Sequence, residues 1–197
     1  MSNEPTRAWP AWRGWPSLEA EPPIFLITGS PAVGKSTVSV ALMNRFPKGL
    51  HIAVDDLREW VVSGISHPTD WCDETERQFR LAENSAMDVA LRYQAAGFAV
   101  AIDGCRRLPA LDELAQRCEG RPLHKIVLMA DLETNHHRNR TRTGKNFLPE
   151  ELIGLIEILN PMYFDVRADH PDWHFIETGE VGVEDVVDQI LNINQEP

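Results

Sequence analysis

Residues 24–38 read IFLITGSPAVGKSTV, and this stretch decides the fold. Ile24 to Thr28 is a short apolar run entering a glycine, the pattern of a buried strand. Lys35 to Phe46 then sets Val38, Leu42, Met43 and Phe46 on one side of a helix. Between them, Gly29 to Thr37 satisfies G-x-x-x-x-G-K-[ST] at every position. Each part has a physical task. The glycines permit backbone torsions that other residues resist. The amides of the loop, from Ser30 through Ala32, Val33 and Gly34 to Thr37, then converge on phosphate oxygens, helped by the helix N-terminus. Lys35 brings a mobile point charge to the β- and γ-phosphates. The Ser36 hydroxyl is placed to ligate Mg²⁺. An apolar strand before the loop and a helix after it separate a nucleotide site from a glycine-rich turn.

Outward from the loop, strands and helices alternate. His51 to Val54, Phe98 to Ile102, His124 to Met129 and Trp173 to Ile176 read as further strands. Helices are predicted over Glu74 to Ala96, closed by Gly97, and over Leu111 to Cys118. Others run from about Leu132, from Pro149 to a stop before Pro161, and over Val183 to Ile193. This rhythm implies a parallel sheet covered by helices on both faces.

In such sheets a ligand lies outside the carboxyl ends of the strands. Two predicted strands deliver aspartates there, Asp55 after Val54 and Asp103 after Ile102. A hydroxyl attacking a phosphorus must lose a proton, and Asp55 is the candidate base. Asp56 is read as pointing elsewhere or capping a helix over Leu57 to Val61. Asp103 is read as holding Mg²⁺ through water and facing the substrate. No [N/T]-K-x-D motif follows a late strand, which favours ATP over GTP.

Arg138, Arg140, Arg142 and Lys145 put four cations into eight residues of an acidic chain. On a helix, Arg138 and Arg142 share a face and Arg140 points away. The expected role is an arginine-rich lid, with Arg138 and Arg142 on the nucleotide phosphates, screening the transferred group and excluding water. Adjacent His136 and His137 point apart and do not form a metal pair. The acceptor is expected between the Asp55 strand and the long helix, near Arg58, Trp71 and Arg77. An anionic acceptor would be met by Arg58, Arg77 and Arg80, which otherwise read as surface salt-bridge partners.

Taken together, the phosphate loop, His51-Ile-Ala-Val-Asp-Asp-Leu57 and Ala96-Gly-Phe-Ala-Val-Ala-Ile-Asp103 make residues 24–145 resemble the P-loop kinases of the chloramphenicol phosphotransferase type. The wider set includes zeta toxins, gluconate kinases and shikimate kinases. The resemblance implies a three-layer α/β P-loop NTPase fold with a five-stranded parallel sheet in order 2-3-1-4-5. It also implies ATP with Mg²⁺, and a general-base aspartate at Asp55. Ser63 to Arg80 departs from that enzyme's pattern, so phosphorylation of the antibiotic is not carried over.

The leading expectation is therefore a phosphotransferase moving the γ-phosphate of ATP onto a hydroxyl of a small molecule. A nucleoside or nucleotide kinase is the alternative, and the nucleotide form would aim Arg58 and Arg77 at the acceptor's phosphate. A non-catalytic or ATP-hydrolysing regulatory module is a third class, in which Asp55 would be dispensable.

Composition narrows the partners. The 19 basic against 30 acidic side chains and net charge of −11 argue against the broad basic face that nucleic acid requires, while leaving room for a local basic pocket. No apolar run approaches the roughly 18 residues of a membrane helix. Three cysteines without metal spacing, and no signal-peptide pattern, point to free thiols and the cytoplasm. Residues 1–22, with Trp9, Trp12 and Trp15 among prolines, read as an arm separate from a domain over 23–197. Oligomeric state is not legible, and a homodimer is compatible with the sequence.

Overall fold

The computed structural model describes residues 21–142 and 149–193. Most of the arm, and Gly144 with Lys145, therefore lie outside the described residues. The elements are β1 (Ile24–Thr28), α1 (Lys35–Met43), β2 (Gly49–Ala53), α2 (Val54–Glu59), α3 (Asp73–Ala95), β3 (Ala99–Asp103) and α4 (Leu108–Ala115). They continue with β4 (Leu123–Met129), α5 (Leu132–Thr141), α6 (Pro149–Asp165), β5 (His174–Glu177) and α7 (Val183–Asn192). The five strands pair in parallel in the order β2-β3-β1-β4-β5.

All of β1 is buried, as the central strand of a sheet covered on both faces must be. Its side chains alternate. Ile24 and Leu26 join the core shared with α3, α4 and α6, while Phe25 and Ile27 join the core shared with α1 and α7. Order 2-3-1-4-5 puts the phosphate loop at the middle of the sheet's carboxyl edge, between β3 and β4. Long α3 ends in a Schellman motif. Gly97 has φ 87°, its N–H donates to Gln94 O and that of Phe98 to Tyr93 O, and the Tyr93 and Phe98 rings pack edge-on at 5.2 Å.

Three local expectations are corrected. Strand β2 stops at Ala53, so Asp55 lies in the first turn of α2 rather than at a strand end. Asp56 shares that turn, and the helix has no side-chain cap. Helix α6 runs through Pro161 instead of stopping before it. Proline there removes one backbone bond. Tertiary anchors on both sides hold the helix: Asn160 Nδ2 donates to Ala130 O at 2.8 Å and Tyr163 Oη donates to Arg106 O at 2.6 Å.

One core feature makes the fold acid-sensitive. The His124 ring on β4 stacks on Phe25 at 5.0 Å, and burial, with His174 nearby, pushes its imidazole down from 6.5 to about 4. The unfolded chain therefore binds a proton that the folded chain refuses between these values. Stability should fall as pH drops from about 6.5 towards 4, by up to about 3 kcal/mol. Urea unfolding across that range should show the slope, and His124→Phe should flatten it.

Candidate active site

The loop torsions are those its residues were read to need. Gly29 has φ 146° and Gly34 φ 104°. A Cβ on Gly29 would lie 2.3 Å from Leu128 O, so neighbouring β4 also excludes any side chain there. Ala32 adopts φ 63° without being glycine, a strained position in a loop wrapped for phosphate. Lys35 Nζ donates to Gly29 O at 3.1 Å and Ser30 O at 3.0 Å, so its ammonium already lies over the loop. Ser30 is buried and its Oγ accepts from Asn135 on α5, which ties the loop to that helix.

The cation side is built at the end of β3. Asp103 is buried, and its Oδ1 accepts from Ser36 Oγ at 3.4 Å. Its Oδ2 pairs with His51 Nε2 at 2.5 Å. A hydroxyl beside a buried carboxylate is a hard oxygen donor set that fits Mg²⁺. Among the described residues no group of three or more His, Cys, Asp or Glu forms a cage. A cation here would share its coordination with phosphate oxygens and water.

One cleft of about 1240 Å³ runs over the loop and is lined by Lys35, Ser36, Asp103, Asp55, Arg138 and Arg142, among others. Asp55 is half-buried and lines the same cleft. Arg142 lies within its field: burial lowers the guanidinium pKa and Asp55 partly offsets that. Cys105 also lines the cleft, and burial pushes its thiol up, which keeps it neutral.

The arginines divide. Arg142 sits just past the end of α5, in extended backbone, and faces the cleft, while Arg140 is exposed away from it. Arg138 reaches the cleft wall, but its guanidinium is committed to backbone rather than aimed at a phosphate. It donates to Val33 O at 3.2 Å, Thr178 O at 2.5 Å and Gly179 O at 2.9 Å. It ties the phosphate loop to the turn after β5.

Two acceptor-side expectations are corrected. Arg77 is exposed on α3 in a bidentate pair with Glu74, at 2.7 and 2.8 Å, and does not line the cleft. Arg58 is buried, stacks on Phe79 at 3.7 Å and donates to Ser66 O at 2.6 Å, so it braces the segment between α2 and α3. Trp71 does line the cleft, half-exposed, and stacks on Phe79 at 5.1 Å. The cleft also contains Arg106 and Arg107, which the sequence reading passed over. The available signal was their position, immediately beyond Asp103 at the carboxyl edge of the sheet. Arg106 is buried and bonded to Glu83 at 2.6 Å and to Glu76 at 2.8 and 2.9 Å. Arg107 is exposed and makes no side-chain bond among the described residues.

No protein-family model and no curated protein matches the sequence. Solved structures do match in shape. A gluconokinase from Sinorhizobium meliloti 1021 superposes with TM-score 0.59 over 87% of this chain and 91% of its own, at 18% identity. The fold is that of the P-loop kinases. A thymidylate kinase from Candida albicans gives TM-score 0.59 over 89% of this chain and 92% of its own, at 16% identity. A shikimate kinase from Acinetobacter baumannii, solved with shikimate, gives 0.54 over 89% and 94%, at 22% identity. Among the described residues no helix is long and apolar enough to cross a membrane. The three cysteines are free thiols.

Proposed function

We propose that the protein is an ATP-dependent phosphotransferase acting on a hydroxyl of a small molecule. The observation that supports this is one cleft whose lining gathers Lys35, Ser36 and Asp103 together with Asp55 and Trp71. Lys35 would exchange two neutral carbonyl acceptors for charged phosphate oxygens, a stronger pairing. Mg²⁺, met by Ser36 and through water by Asp103, would supply neutralisation of phosphate charge. The acceptor oxygen bonds to the γ-phosphorus as its proton passes to Asp55, and the bond to the ADP oxygen breaks. Arg142, which lines the cleft, screens the charge on the transferred group.

Beside its half-exposed indole the cleft is lined by two exposed arginines, Arg107 and Arg80, the latter paired with Glu76 and Glu113, and it suits a ring-bearing polar molecule of modest size. The nucleotide-kinase alternative rested on Arg58 and Arg77, neither of which lines the cleft. A panel of hydroxylated compounds, read by coupled ADP release, tests the proposal. At least one acceptor should stimulate release, and Lys35→Ala should cut the stimulated rate by about 10²–10³-fold. ATP binding with no stimulation by any acceptor would instead favour an ATP-hydrolysing or regulatory module.

A further inference from the structure

We propose that His51 is a positioning residue that fixes the Asp103 carboxylate for the cation side of the site. The inference rests on the kinase reading and extends it to a residue outside the phosphate loop.

The sheet supplies the geometry. In the parallel pairing of β2 with β3, Ala53 lies opposite Asp103 and His51 opposite Ala101. His51 and Ala53 point to the same face, so the imidazole is one side-chain step upstream of the aspartate's neighbour. Its ring leans along the strand and closes a 2.5 Å contact between Nε2 and Asp103 Oδ2. The Asp103 side chain is 4% exposed and that of His51 20%. The two carboxylate oxygens thus have separate partners. The carboxylate accepts, so Nε2 carries the hydrogen of the short bond. The other oxygen faces Ser36 Oγ at the longer distance of 3.4 Å.

That asymmetry matters for a hydroxyl that ligates a cation. Ser36 must turn a lone pair to the metal and send its proton elsewhere, and Asp103 Oδ1 is the acceptor in place. A contact of 3.4 Å is too weak to hold the carboxylate plane by itself. The short bond from His51 holds it. Asp103 is the carboxylate beside the Ser36 hydroxyl, so its orientation contributes to cation binding alongside that hydroxyl, the phosphate oxygens and water. Groups that orient a metal ligand in this way typically carry about 10–100-fold of metal affinity or activity.

The test is calorimetric binding of ADP to the full chain, in Mg²⁺ and in EDTA, for wild type, His51→Ala and His51→Gln. His51→Ala should weaken Mg²⁺-ADP binding by about tenfold or more. ADP affinity in EDTA should stay unchanged. Glutamine, which keeps an N–H donor, should recover most of the loss. A variant that loses ADP affinity equally in both media would show a merely structural histidine and overturn the inference. So would Mg²⁺ dependence that His51→Ala leaves intact. If wild type itself fails to bind Mg²⁺-ADP, the proposed function falls as well, which separates the two failures.

Discussion

Asp55→Asn should lower kcat by about 10²–10⁴-fold and leave Mg²⁺-ADP affinity within about twofold. The side chain keeps its shape and loses only its capacity to take a proton. Asp55 lies in the first turn of α2, lines the cleft and makes no bond to the phosphate loop among the described residues. Nucleotide binding through Lys35 and the loop amides therefore should not register the change. The paired control is Asp56→Asn, one residue along the same turn, exposed and not lining the cleft. It should leave kcat within about a factor of three, since adjacent helical residues do not share a face. Steady-state kinetics with an acceptor found in the panel decides the matter. Full activity in Asp55→Asn would remove the base and, with it, the kinase mechanism as proposed.

Arg106→Met should destabilise the fold by about 3–5 kcal/mol, because it strips a buried carboxylate of its cation. At this chain length that corresponds to a fall in Tm of about 6–20 °C. Arg106 is 6% exposed and bridges Glu76 and Glu83 of α3, while its backbone carbonyl accepts from Tyr163 Oη at 2.6 Å. Glu83 is 3% exposed. Burial pushes its carboxyl above the usual range, and Arg106 is the main opposing influence. Without the arginine the raising cause stands nearly alone. A carboxyl raised in the folded state contributes most when protonated, below its unfolded pKa, and loses that contribution as pH rises. The defect in Arg106→Met should therefore shrink towards acid pH. Combining it with Glu83→Gln should restore part of the stability, because the stranded charge is gone. Urea unfolding of the single and double variants at two pH values measures both effects. A loss below about 1 kcal/mol would mean that the network contributes no more than an exposed ion pair.

How much of this was legible follows from what each signal depends on. The phosphate loop could be read from a single line of sequence because its torsions, amides and lysine are contiguous. Strand, loop and helix lie within 15 residues, and no distant contact is needed to define them. The parallel sheet followed from alternating apolar strands and helices, and its order came through resemblance. Pro161 was misread because proline weakens a helix locally, while Asn160 and Tyr163 anchor it through partners that lie 30 and 57 residues away in sequence. Asp55 was identified as a cleft carboxylate, although it was assigned to the wrong element by a shift of two residues.

The site shows the same division. Arg58, Arg77 and Arg138 carry the right charge, but charge in a sequence has no direction. Glu74, Phe79 with Ser66, and the carbonyls of Val33, Thr178 and Gly179 determine where each guanidinium points. His51 offered no signal at all, because its proposed role depends on β2 and β3 pairing in parallel across two intervening helices. By itself the sequence determined the phosphate-binding chemistry, since that chemistry resides in consecutive backbone amides and one adjacent lysine. Only the tertiary structure decided which side chains face the cleft, because hydrogen-bond partners and burial are settled between elements distant in the chain.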